Sequence, residues 1–375
     1  MRRLIHPGSK SRRRILEIVV LALAMAAAAS SARADDPLSM FTLSGFGTLG
    51  AAHSSLDTAD FTSSAFQPAG AGHTRNWDFA GESKVGLQLS AQFTSKLTAL
   101  VQVVSHYNYD NSYTPTVEWA NLNYAFTPDF NVRVGRIELP TFLNSDYREV
   151  GYANPWVRVP PELYNLQPIT NSDGVDASYR LHLGSVTDTL HLIYGSTSQH
   201  VNPGALKVKG TDITGVFGTL EYRDLTAHFG YLHAYVSMPF ASREPAEVYT
   251  FGVNYDAGKW FVQGELARMI AEGSTPGYLA GYVTAGLRAG KFTPYATYSQ
   301  EHSLDHPTVV SNFNLGQKNV SAGVRWDFAR NLDMKVQFEH IWTPSNSVGL
   351  FINEQQNFQF GSSANVFSAT LDFVF

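Results

Sequence analysis

The chain has 375 residues, no cysteine, 27 Lys and Arg against 32 Asp and Glu, and a formal net charge of −5. The missing cysteines exclude a disulfide framework and thiolate metal sites, and the acidic balance argues against nucleic acid as a partner. Mean hydropathy is −0.14, as in a soluble protein, yet 13% of residues are aromatic, with 18 Tyr and 24 Phe; a transmembrane barrel accommodates both, because lipid-facing and water-facing residues cancel in a window average while aromatic girdles raise the ring content.

At the start, Arg2, Arg3, Lys10 and Arg12 to Arg14 precede an apolar run from Ile15 to Ala29 broken only by Glu17, and Ala32-Arg33-Ala34 stands before Asp35. This order predicts a secretory signal peptide over residues 1–34, cleaved after Ala34. The apolar run falls short of the roughly 20 residues that span a bilayer. Residues 35–375 then form one domain with 20 basic and 31 acidic groups, a net charge of −11.

Beyond that point the residues alternate with period two, and strands are expected near 43–53, 84–93, 97–106, 116–126, 130–138, 174–183, 188–197, 211–222, 225–236, 247–256, 260–271, 278–289, 292–301, 318–328, 332–342 and 364–375. In the sixth, Val175, Ala177, Tyr179, Leu181 and Leu183 alternate with Asp176, Ser178, Arg180 and His182. In the fourteenth, Val320, Ala322, Val324, Trp326 and Phe328 alternate with Ser321, Gly323, Arg325 and Asp327; in the last, Phe367, Ala369, Leu371, Phe373 and Phe375 alternate with Ser368, Thr370 and Asp372. Seven connections are tight and rich in Gly, Pro, Asp or Asn, such as Ala257-Gly258-Lys259 and Ala329-Arg330-Asn331, the residues of hairpin turns. Eight others are longer, the largest at 54–83, 139–173 and 343–363. Short turns alternating with long loops on an even number of strands is the arrangement of an outer-membrane barrel with both termini in the periplasm. The competing reading, a sandwich in water, would not need an apolar outward parity on nearly every strand.

The opening strand Leu43-Ser44-Gly45-Phe46-Gly47-Thr48-Leu49-Gly50, the strand end Val134-Gly135-Arg136 entering a long third loop, and the terminal Phe375 resemble the general (trimeric) porins of Gram-negative outer membranes, over the whole of residues 35–375. The resemblance implies an all-β, 16-stranded antiparallel transmembrane barrel, a water-filled pore narrowed where the third extracellular loop folds inward, a homotrimer in the outer-membrane bilayer, and an assembly role for Phe375. The third loop departs from the pattern: it lacks an acidic, Gly-rich tip and is rich in Pro and aromatic residues.

That loop carries Glu138, Asp146, Arg148, Glu149, Arg158, Glu162 and Asp173, and loops of this length without regular structure are usually functional or disordered. The functional reading is an eyelet whose acids face basic wall residues such as Arg133, Arg180 and Arg325, orienting dipolar solutes; the plainer one is that these charges pair with one another or sit at a solvated rim. Asp176, His182, Glu265, Asp327, Glu339 and Asp372 complete a wall of mixed sign. A charge of −11 and only eight Lys in residues 35–375 point to mild cation preference.

Gly45-Phe46-Gly47-Thr48-Leu49-Gly50 matches the dinucleotide fingerprint, but that motif needs a following helix and here it lies inside a strand. Gly45 and Gly47, on the outward parity, suit either close approach of a neighbouring barrel in a trimer or a local strand bend. Neither a His-Glu-x-x-His run nor a GxSxG elbow is present, so no metal, cofactor or enzyme activity is expected. The expected function is passive diffusion of small hydrophilic solutes and ions. The alternatives are a substrate-selective channel for a sugar or organic acid, and, further off, an outer-membrane enzyme or structural barrel.

Overall fold

The computed structural model describes residues 40–375 except 166, 202–205, 274–276 and 305–313; the predicted signal peptide lies outside the described residues. Sixteen long strands are found among them: β1 Phe41–Ser54, β2 Lys84–Gln92, β3 Leu97–His106, β4 Thr116–Ala125, β5 Phe130–Glu138, β6 Asn171–Leu183, β7 Val186–Val201, β8 Leu206–Tyr222, β9 Leu225–Met238, β10 Ala241–Asp256, β11 Trp260–Ala271, β12 Tyr278–Leu287, β13 Phe292–Ser303, β14 Gln317–Ala329, β15 Leu332–Trp342 and β16 Ser363–Val374. Each pairs antiparallel with its sequence neighbours, and β1 pairs with β16 in the register Leu49↔Leu371. The sheet therefore closes on itself and has no free edge.

The polarity is that of a barrel in lipid. Leu266, Phe251, Leu192 and Phe338 are among the most exposed side chains, each more than half open, whereas Asp176, Asp333, Lys335 and Asp372 on the opposite parity are fully buried. In water this would reverse the usual distribution of residues; in a bilayer the apolar face meets acyl chains. Aromatic pairs gather beside the short turns: Phe126 stacks on Phe130 at 5.4 Å, Tyr255 meets Trp260 at 5.3 Å, and Phe292 lies on Trp326 at 5.9 Å. The turns themselves use left-handed backbone where expected, with Gly258 at φ 76° and Asn331 at φ 61°, conformations that glycine and asparagine adopt at least cost.

Two stretches differ from the sequence reading. Residues 198–201, 206–210 and 237–246, expected in irregular loops, largely continue the strands, so that β7 to β10 stand tall. The register shifts between Gly195 and Thr197, between Thr211 and Thr214, and between Val236 and Met238, with Asp212 and Arg243 at positive φ. A bulge inserts a residue and resets the parity, so pairing persists where alternation breaks.

Gly45 and Gly47 answer to the chain's own rings. A Cβ on Gly45 would lie 2.4 Å from Cζ of Phe375, and one on Gly47 would lie 2.3 Å from Cζ of Phe373. The space these glycines leave is occupied by the chain's own terminal rings. Phe375 also exchanges both backbone hydrogen bonds with Gly45, each 3.0 Å, at the closing seam. Gly45→Trp should displace the Phe375 ring and cost about 1–3 kcal/mol of overpacking, read as a lower temperature for the folded-to-unfolded shift on semi-native gels; an unchanged temperature would refute the packing argument.

Candidate functional site

The third loop runs between β5 and β6. Its prolines, at 140, 155, 160, 161 and 168, cannot donate to a ladder, and among its described residues the segment forms two 3₁₀ turns, Ser145–Tyr147 and Gly151–Ala153, and one helical turn, Pro161–Tyr164. Aromatic side chains fix it to the buried parity of the far strands. Trp156 is 1% exposed; its indole N–H donates to the hydroxyls of Thr284 (2.9 Å) and Thr297 (3.1 Å), and its ring stands edge-on to Tyr282. Glu265 on β11 accepts from Tyr164 (2.6 Å), Tyr282 (2.8 Å) and the Leu143 amide (2.7 Å). A buried carboxylate is tolerated because three donors replace its water.

Charges fasten the loop further along. Arg158, with 5% of its side chain exposed, donates through Nε to Glu82 (2.7 Å), and through its other nitrogens to Glu339 and Ser368. Burial opposes its charge, but Glu339 and Glu82 more than offset this and raise its pKa above the ordinary arginine value. Glu162 accepts from Ser299 and Gln317, both at 2.7 Å; burial raises its pKa and those two bonds only partly restrain the rise. Lys335 on β15 is fully buried and donates to the Gly151 carbonyl (2.6 Å) and to Asp372 (3.0 Å), which also accepts from Thr48. Arg325 on β14 grips the carbonyls of Tyr152 (2.6 Å) and Asn154 (3.2 Å) while paired to Asp327 and Asp333.

The opposition expected of an eyelet is inverted. Among the described residues no loop acid forms an ion pair with Arg133, Arg180 or Arg325; instead a loop arginine, Arg158, meets Glu339 of the wall and Glu82 of the first loop. Arg133 binds Asp176 on the adjoining strand at 2.8 Å, and His191 lies 3.1 Å from the same carboxylate. Arg180 is exposed without an ion pair among the described residues, and exposed His182 sits 3.1 Å from Asp129 of the neighbouring turn. Glu138 ends β5 as a buried side chain, while Asp146 is exposed in the first 3₁₀ turn. Asp173, expected within the third loop, belongs to β6 and pairs with Arg136 at 2.7 Å on the outward parity; β6 begins at Asn171, because Ser172, Asp173 and Gly174 keep pairing where the apolar alternation has ended.

Glu149 occupies a more open position. Its carboxylate is 2.9 Å from Lys84 Nζ and 3.9 Å from Arg148 Nε. Burial works against its charge, but Lys84, His106 and Arg148 together outweigh it and hold the carboxyl down to about 2. Sequence reasoning passed over Glu82, Lys84 and Lys335. Lys335 stands on the inward parity between Asp333 and Gln337, and that signal was visible; Glu82 lies in a loop with no periodicity to mark it.

A family model described as Gram-negative porin matches residues 21–344. No curated protein matches the chain. Among solved structures, it is similar to an anion-selective porin from Comamonas acidovorans at 12% identity, covering 89% of this chain and 99% of that one with a TM-score of 0.60. OmpF of Salmonella typhi in complex with daunomycin aligns at 13% identity over 89% and 97% of the two chains, TM-score 0.60. The trimer form of OmpT, an outer-membrane protein of Vibrio cholerae, aligns at 14% identity over 89% and 99%, TM-score 0.57. These likenesses concern the fold, a closed barrel of sixteen antiparallel strands. With the family model spanning most of its length, the chain belongs to the Gram-negative porins.

Proposed function

We propose that this outer-membrane porin conducts small hydrophilic solutes and ions passively, as a homotrimer exported with its leader cleaved near Ala34, and that the third loop lies in the lumen and narrows the passage. The observation that carries this reading is the fastening of residues 143–164 to the buried parity of β11 to β16 through Glu265, Thr284, Ser299, Lys335 and Ser368. Aromatic anchors and saturated ion pairs support a fixed constriction rather than a loop that swings. Net charge is a weak guide to selectivity here, since Glu339, Glu265 and Asp372 are each occupied by donors; the groups with room to meet a solute decide it. Purified protein added to a planar bilayer in KCl should give discrete, long-lived conductance steps. A folded protein that yields none would overturn the channel reading.

A further inference from the structure

Between the first loop, the upper ends of β2 and β3, and the third loop lies a recess of about 740 Å³, counting the solvent at its mouth. Lys84, His106, Arg148 and Glu149 line it, with Phe66 and Tyr107 as apolar flanks. Arg158 and Glu82 also line it but are bound to each other, which leaves Lys84, His106 and Arg148 around the single carboxylate of Glu149. Other cations of the interior are saturated: Arg158 has two carboxylates and a hydroxyl, and Lys335 has two carboxylates and a carbonyl. Arg148 is not. Its Nε has no hydrogen-bond partner, its terminal nitrogens reach only the carbonyls of Gln167 at 3.3 Å and Tyr164 at 3.5 Å, and its guanidinium is held over the Tyr164 ring at 5.3 Å. The Lys84–Glu149 pair is open as well, with 22% and 26% of the two side chains exposed.

We propose that this recess is a subsite for small organic carboxylates, and that Glu149 is a tethered occupant which the solute displaces from Lys84. A guanidinium already oriented by stacking presents a planar fork that matches a carboxylate. The group resting on Lys84 is itself a carboxylate, so the geometry is that of the ligand proposed. Phe66, whose ring lies against His106 at 6.3 Å, and Tyr107 provide surface for a short carbon chain, which favours an organic acid over a bare inorganic anion. The proposal rests on the channel reading and refines it from general diffusion toward selectivity.

The test is succinate added to single channels in dilute KCl, with inorganic phosphate and glucose as separate arms. Succinate should interrupt the current at millimolar concentration, and glucose should not. Glu149→Gln removes the internal competitor and should strengthen the succinate block about tenfold; Arg148→Gln and Lys84→Gln should each abolish it while KCl steps remain. Normal KCl steps with no succinate block in either wild type or Glu149→Gln would overturn the subsite, and equal block by phosphate would overturn its assignment to organic carboxylates. If no KCl steps appear at all, the channel reading fails by itself; calorimetric titration of succinate into Glu149→Gln in detergent then decides the subsite, with saturable binding in its favour and none against it.

Discussion

Arg158→Leu should lower the unfolding free energy of the barrel in lipid vesicles by about 3–5 kcal/mol, the usual cost of stranding a buried charge. Leucine keeps much of the volume but leaves Glu82 and Glu339, with 6% and 1% of their side chains exposed, without the arginine they share. Most of the loss comes from those two carboxylates rather than from the arginine. Adding Glu82→Gln and Glu339→Gln to Arg158→Leu should therefore recover most of the stability, since replacing a whole buried ion group is often nearly neutral. Single channels of Arg158→Leu alone should show brief closures as residues 155–160 lose their tie to the wall. A urea midpoint unmoved by the single substitution would refute the cage; a triple variant no better than the single would show that the arginine's packing over Phe61, at 4.9 Å, matters more than its charge.

Lys335→Met carries a loss of similar size, again about 3–5 kcal/mol, slightly earlier in the loop. Lys335 and its partners Asp333 and Asp372 are all fully buried, and the lysine is also the donor to the Gly151 carbonyl. Its removal leaves Asp372 without a counter-charge and Asp333 with Arg325 alone, and frees the 3₁₀ turn Gly151–Ala153. That turn approaches the wall so closely that a side chain at Gly151 would fall 2.0 Å from Asp372 Oδ1. The readout is limited proteolysis of the intact barrel: cleavage within 148–158 should accelerate in Lys335→Met and stay slow in wild type. Equal rates would mean that Arg325 alone, through Tyr152 and Asn154, secures the turn.

The strand order and closure were legible because lipid imposes a rule, an apolar residue at every second position, and the rule holds over Val320–Phe328, Leu332–Phe338 and Phe367–Phe373. It failed at Asp212 and Arg243, where bulges shift the parity while hydrogen bonding continues. The identity of the charged loop residues was legible too, but their partners were not. Arg158 binds residues 76, 181 and 210 positions away, and no local pattern encodes such pairings. Arg325, expected to face the loop's acids, serves the loop's backbone carbonyls, a role that leaves no mark in the sequence. Asp173 was misplaced for the same reason that β6 was drawn short, since Asn171-Ser172-Asp173-Gly174 reads as a turn and pairs as a strand.

The far-reaching fastenings of the third loop bear on the order of events during assembly. The loop leaves β5, yet it is gripped by side chains of β11 through β16 and of β1, most of them downstream of it in the chain. Glu339 in turn meets its arginine, and Lys335 the Gly151 carbonyl, only once the loop is seated. Docking of the loop and sealing of the wall are thus mutually dependent, as two halves of a clasp are. Such contacts between distant parts of a chain make folding slow, and the expected kinetic signature is one concerted late step in which loop and wall come together.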